Sequence, residues 1–155
     1  MGWLILHHDV ADGGPAVQAL LAMAAFAEAK SVVDYGCGQG KLAELVLAAH
    51  PQLHWRGYDQ SPKMVETAHQ KLAPFGARCS VELSSDGDPA ALVASTPAGS
   101  VDRFVSTYCL DLLSEPDMLA VLDAAQHCLD PKRGLLLLAG ITWGYRTSLR
   151  TFFMT

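Results

Sequence analysis

Ser31-Val32-Val33-Asp34-Tyr35-Gly36-Cys37-Gly38-Gln39-Gly40 is the stretch that decides the architecture of this 155-residue chain. Ser31 to Tyr35 is a short apolar run that ends at glycines, the pattern of a buried strand. It delivers one carboxylate, Asp34, into a turn where every second residue is glycine. Glycine lets the backbone take positive φ and come close to a ligand. Leu42 to His50 then has helical spacing and stops at Pro51. A helix opening beyond such a turn presents unpaired N–H groups that suit an anionic ligand. The same turn could also join strand to helix with no ligand at all. A dinucleotide fold spaces its glycines as G-x-G-x-x-G. Here Gly40 comes one residue early and Lys41 holds the place of the third glycine, which disfavours a nucleotide-cofactor oxidoreductase.

Outward from this core, His54 to Tyr58 is a second strand, closed by Asp59. An acid about twenty residues past a glycine turn can accept the ribose hydroxyls of a nucleoside cofactor, although it could equally cap the next helix. Ser61-Pro62 supplies an N-cap and a first-turn proline for a helix to about Leu72. Cys79 to Leu83, Val101 to Thr107 and Leu135 to Ile141 read as the third, fourth and fifth strands. Ser114-x-x-Asp117 resembles a capping box for a helix through about Cys128. Upstream, Pro15 follows two glycines, and Val17, Leu20, Leu21, Ala24 and Ala27 recur at helical spacing within the alanine-rich stretch Ala16 to Ala29. Apolar strands alternating with helices indicate a parallel sheet covered on both faces: a doubly wound α/β domain of about five parallel strands.

The order Asp34-x-Gly36-x-Gly38-x-Gly40 resembles motif I of the class I S-adenosylmethionine (SAM) dependent methyltransferases, and three further segments resemble that family in family order. Asp59-x-Ser61-x-x-Met64 is similar to its ribose-binding acid with a methionine near the adenine. Asp88-x-x-x-Leu92 is similar to the segment that offers an acid to the adenine amino group; Asp86 fits less well, and an exposed acidic turn is the alternative. Val101 to Leu110 resembles motif IV, and Cys128 to Leu135 the turn before the fifth strand, with Lys132-Arg133 where a glycine is usual. The resemblance implies a Rossmann-like sheet with SAM as cofactor. It implies cofactor contacts from Asp34, Tyr35, Gly36, Cys37 and Gly38, from Asp59, Gln60 and Met64, from Asp88, and from Thr107 at the end of the fourth strand. No catalytic residue is marked; Tyr108 and Asp111 are the candidates for a general base.

Composition narrows the remaining classes. A net charge of −5 argues against nucleic acid, because phosphate binding needs a basic face. No apolar run approaches the ~20 residues of a membrane span. Cys37, Cys79, Cys109 and Cys128 show no C-x-x-C spacing, so a zinc or redox site is not indicated and reduced, cytoplasmic thiols are expected. No metal is expected. His7-His8-Asp9 reads as part of an N-terminal segment, and His50, His54, His69 and His127 lack ligand spacing. Residues 1–30 are expected to form a segment and helix packing on a SAM-binding core, residues 31–155. That core is expected to lack the family's last strands, and Leu149, Phe152, Phe153 and Met154 are expected to form an apolar face suited to self-association. The expected function is SAM-dependent methyl transfer to a small-molecule acceptor; the alternative is a catalytically incomplete SAM-binding or interaction module.

Overall fold

The structure, a computed structural model, describes residues 3–6, 15–84 and 87–140. Its strands are β1 (Trp3–Leu6), β2 (Ser31–Tyr35), β3 (His54–Asp59), β4 (Cys79–Leu83), β5 (Arg103–Thr107) and β6 (Leu135–Ala139). They form one parallel sheet in the order β1-β6-β5-β2-β3-β4. The five strands expected from the sequence are β2 to β6, and Trp3–Leu6 adds a sixth, paired in register from Trp3 opposite Leu136 to Leu6 opposite Ala139. A four-residue apolar run carries no periodicity that reveals a partner more than a hundred residues away. Only the assembled edge of β6 does so.

The helices are α1 (Pro15–Met23), α2 (Lys41–Ala49), α3 (Pro62–Leu72), α4 (Ala90–Ser95) and α5 (Glu115–Cys128). Side-chain alternation along each strand feeds two cores. Val32, Trp55, Val105 and Leu137 face α1, α2 and α3. Val33, Tyr35, Phe104 and Leu136 face α4 and α5. Phe104 and Val105 are both fully buried, so β5 sits at the centre of the sandwich. Both capping predictions hold: Ser61 Oγ accepts from Met64 N–H and Ser114 Oγ from Asp117 N–H.

Some boundaries differ from the sequence reading for physical reasons. α1 ends at Met23, short of Ala27, because Ala25 adopts a left-handed conformation at φ 46°. The buried Arg103 guanidinium donates to the carbonyls of Ala24 and Ala25, at 2.5 and 2.9 Å, and holds the chain in that break. β5 starts at Arg103, since Val101 makes only a single bridge to Leu129. α4 had no periodic signal in its six residues. The C-terminal expectations, including Ile141 and the apolar Leu149, Phe152, Phe153 and Met154, lie outside the described residues, as do His7, His8, Asp9 and Asp86.

Candidate functional site

The strand order reverses at β2, which has β3 on one side and β5 on the other. In open α/β sheets such a reversal leaves a crevice beyond the C-terminal strand ends. Here it widens into a cleft of about 1090 Å³ lined from the exits of β2, β3, β4 and β5. That is slightly above the ~300–1,000 Å³ typical of small-molecule sites.

The glycine turn forms its floor. Gly36 and Cys37 N–H both donate to the Tyr58 carbonyl, at 2.8 and 3.0 Å, which straps the turn to the end of β3. Gly36, Gly38 and Gly40 are all left-handed, with φ of 79°, 53° and 73°. They differ in their surroundings. A Cβ on Gly36 would fall 2.6 Å from both Cβ and Sγ of Cys109, and one on Gly40 would fall 2.7 Å from Leu72 Cδ1. A Cβ on Gly38 would meet no atom within 4 Å, although this glycine lines the cleft. Packing within the protein therefore accounts for two of the glycines, and the third is bare toward the cavity.

Asp59 closes β3 with its carboxylate bound to two backbone donors: Oδ2 accepts from Gly38 N–H at 2.8 Å and Oδ1 from Ser61 N–H at 2.9 Å. It lines the cleft together with Gln60, Ser61 and Met64. A carboxylate has about four lone-pair sites, so acceptor capacity remains on the cleft side. Tyr35 is 4% exposed yet borders the cleft; its hydroxyl donates to the Gly87 carbonyl and ties the loop before α4 to β2. Burial pushes this phenol up to about 12, so it stays a donor. Thr107 borders the cleft at the end of β5, as expected. Just below, Ser106 Oγ donates to the Tyr35 carbonyl at 2.8 Å and holds β5 against β2.

Two expected contacts are not on the cleft wall. Asp34 lies beneath it, 1% exposed, because strand alternation puts it on the same face as Val32. Its Oδ1 has no hydrogen-bond partner, and neither has Trp55 Nε1. Burial raises the carboxyl to about 7; the nearby Trp55 indole pulls it back without forming a well-aligned hydrogen bond, and the Asp59 charge adds to the rise. Asp88 is exposed, and its Oδ1 accepts from Ala90 N–H at 2.8 Å as α4 begins. Gly87 and Ser84 from the same loop line the cleft instead. The only sequence sign of Gly87 was its place in an acidic turn.

The sequence reading also missed the turn after β5. Tyr108 is left-handed at φ 55°, and its N–H donates to the Ala139 carbonyl at 2.6 Å. For a bulky residue this is an outlier of the kind found at functional sites. The turn brings Cys109 under Gly36, a contact that only a glycine there permits. Cys37 and Cys109 both line the cleft. Burial is the main cause raising each thiol, with Asp34 and Asp59 adding to Cys37; Cys109 reaches about 11 despite a hydrogen bond with Ser106 that lowers it. A thiol held protonated is a weaker nucleophile than a thiolate. Among the described residues, no cluster of three or more His, Cys, Asp or Glu side chains could hold a metal ion, and no helix is long and apolar enough to cross a membrane.

A glycine turn at a switch point, with an acid at the end of the neighbouring strand, defines a doubly wound α/β domain whose cleft lies beyond the C-terminal strand ends. The chain belongs to the methyltransferase domain family, which matches residues 32–132. Over 86 residues it is 31% identical to the malonyl-[acyl-carrier protein] O-methyltransferase of Paenibacillus sp. (strain JDR-2), covering 55% of this chain and 30% of that protein. Its fold is similar to that of an O-methyltransferase family protein from Burkholderia thailandensis, with a TM-score of 0.68 and 24% identity over 81% of this chain and 37% of the other. It also resembles a SAM-dependent methyltransferase from Thiobacillus denitrificans in complex with S-adenosyl-L-homocysteine, with a TM-score of 0.59 and 16% identity over 78% of this chain and 47% of the other. The chain thus spans less than half the length of each of these three proteins.

Proposed function

We propose that this cleft binds SAM and that the domain serves methyl transfer to a small-molecule acceptor. The observation that carries the reading is Gly38: it is left-handed, bare toward the cavity, and held there by its N–H bond to Asp59. Its left-handed backbone favours glycine, but no neighbouring protein atom fills the space beside it, which leaves room for a ligand lying against the backbone. The acceptor capacity left on Asp59, the adjacent Gln60 and Ser61, and the half-buried Met64 suit a ribose and a flat base. SAM, when bound, supplies an electrophilic methyl group on a sulfonium. The protein's part is then mainly to hold the acceptor in line, where orientation supplies much of the rate. Thr107 and Tyr108 line the cleft at the exit of β5, where such an acceptor would be aimed.

Calorimetric titration with S-adenosyl-L-homocysteine tests the reading directly. The expected result is saturable binding at one site. In Asp59→Asn the charged acceptor is lost, which costs on the order of 1.5–3 kcal/mol. Affinity should fall by roughly tenfold or more. Because Asp59 also holds Gly38 and Ser61 N–H, part of this loss should come from a loosened turn. Absence of binding to the folded wild-type protein, or equal affinity in a folded Asp59→Asn variant, refutes the assignment.

A further inference from the structure

The cleft has two halves of different chemistry, and the sheet topology separates them. Asp59 ends β3, Gln60 and Ser61 follow it, and Ser84 follows β4, all on one side of the glycine turn. On the other side the wall comes from the exit of β5 and from α1, which lies against β1 and β6. Beyond Thr107, Tyr108 and Cys109 at the strand exit, that wall is aliphatic, with Val17 from α1 and Leu112 and Leu113 after β5, and Leu42 and Leu45 from the first turns of α2 extend the apolar surface. Glu44 of α2 and Lys71 of α3 also line the cleft, but they neutralise each other in an ion pair at 3.5 Å. Lys41, one turn before Leu45, borders the cleft too, but it is exposed, and a long side chain of this kind keeps its ammonium in water.

Five large apolar side chains are markedly exposed among the described residues, and Leu45 (53%) and Leu112 (81%) both belong to this cleft. Its volume of about 1090 Å³ lies slightly above the ~300–1,000 Å³ typical of small-molecule sites. Resting on the proposed SAM site, we infer that the aliphatic half is the acceptor subsite and that the acceptor is an uncharged small molecule with an apolar body. Continuity with the glycine cradle places that body beside the group it receives. No buried charge on the described aliphatic wall would compensate a carboxylate or phosphate taken out of water there.

The test uses the full chain and 2-naphthol, an uncharged apolar hydroxyl compound, with 6-hydroxy-2-naphthoate as its charged counterpart. Both are titrated into protein saturated with S-adenosyl-L-homocysteine. The expectation is that 2-naphthol binds at least tenfold more tightly than the naphthoate. Leu112→Ser should weaken 2-naphthol at least fivefold, while leaving S-adenosyl-L-homocysteine affinity and the melting temperature of the unliganded protein unchanged. Equal or tighter binding of the naphthoate, or no binding of 2-naphthol, overturns the acceptor proposal and leaves the SAM site standing. A lowered melting temperature in Leu112→Ser with 2-naphthol binding unaltered also overturns it, since the wall is then covered by the chain itself or by a second copy. If S-adenosyl-L-homocysteine fails to bind, the site reading falls and this inference falls with it.

Discussion

Adding one methyl group to each glycine of the turn in separate variants distinguishes a ligand cradle from a tight turn. All three sites are left-handed, so alanine costs about 1–2 kcal/mol at each from backbone conformation alone. At Gly38 nothing else is added, because its Cβ meets no protein atom within 4 Å. Gly38→Ala should therefore remain folded, with a melting temperature lower by roughly 2–8 °C for a domain of this size. At Gly36 the new Cβ falls 2.6 Å from Cys109 Cβ and Sγ, and overpacking of this kind costs about 1–3 kcal/mol more. At Gly40 the nearest atom is Leu72 Cδ1, the movable end of a side chain, so the added cost should be smaller. The expected order of destabilisation is Gly36→Ala, then Gly40→Ala, then Gly38→Ala. Ligand affinity should run the other way among the variants that stay folded: Gly38→Ala should lose at least tenfold toward S-adenosyl-L-homocysteine by calorimetry, and Gly40→Ala much less. If Gly38→Ala is the mildest variant in thermal unfolding yet binds like wild type, the bare face of Gly38 has no ligand and the argument fails.

Two further outcomes arise from buried groups. Asp34 is raised from 3.8 to about 7, so between these values the folded protein holds a proton that the unfolded chain has shed. Its contribution to stability is therefore lost as pH rises from about 4 to about 7. Asp34→Asn removes this dependence, and denaturant unfolding should show the variant gaining on wild type by up to ~4 kcal/mol between pH 4 and pH 8; a pH-independent difference would show that Asp34 is charged in the folded state. Arg103→Met should destabilise by about 3 kcal/mol or more, because the carbonyls of Ala24 and Ala25 lose their charged donor. Hydrogen exchange should accelerate first in α1, and unchanged protection there would count against the anchoring role.

Much of this protein is legible from local pattern. The glycine turn after an apolar strand, the acid closing the next strand, and the Ser61 and Ser114 caps depend on residues close together in sequence, and each occurs where the pattern puts it. Tertiary structure decided the rest, because the answers lie between distant segments. Strand parity placed Asp34 under the cleft floor instead of on its wall, which period-two alternation against Val32 could have indicated. Asp88 spends its carboxylate on the start of α4, a competition visible only once the helix exists. Which glycine is left bare toward the cleft depends on Cys109 and Leu72, brought alongside by the left-handed turn at Tyr108 and by the packing of α3. The pairing of β1 with β6 is likewise invisible in four apolar residues, since a strand's partner is set by the edge the rest of the sheet leaves open.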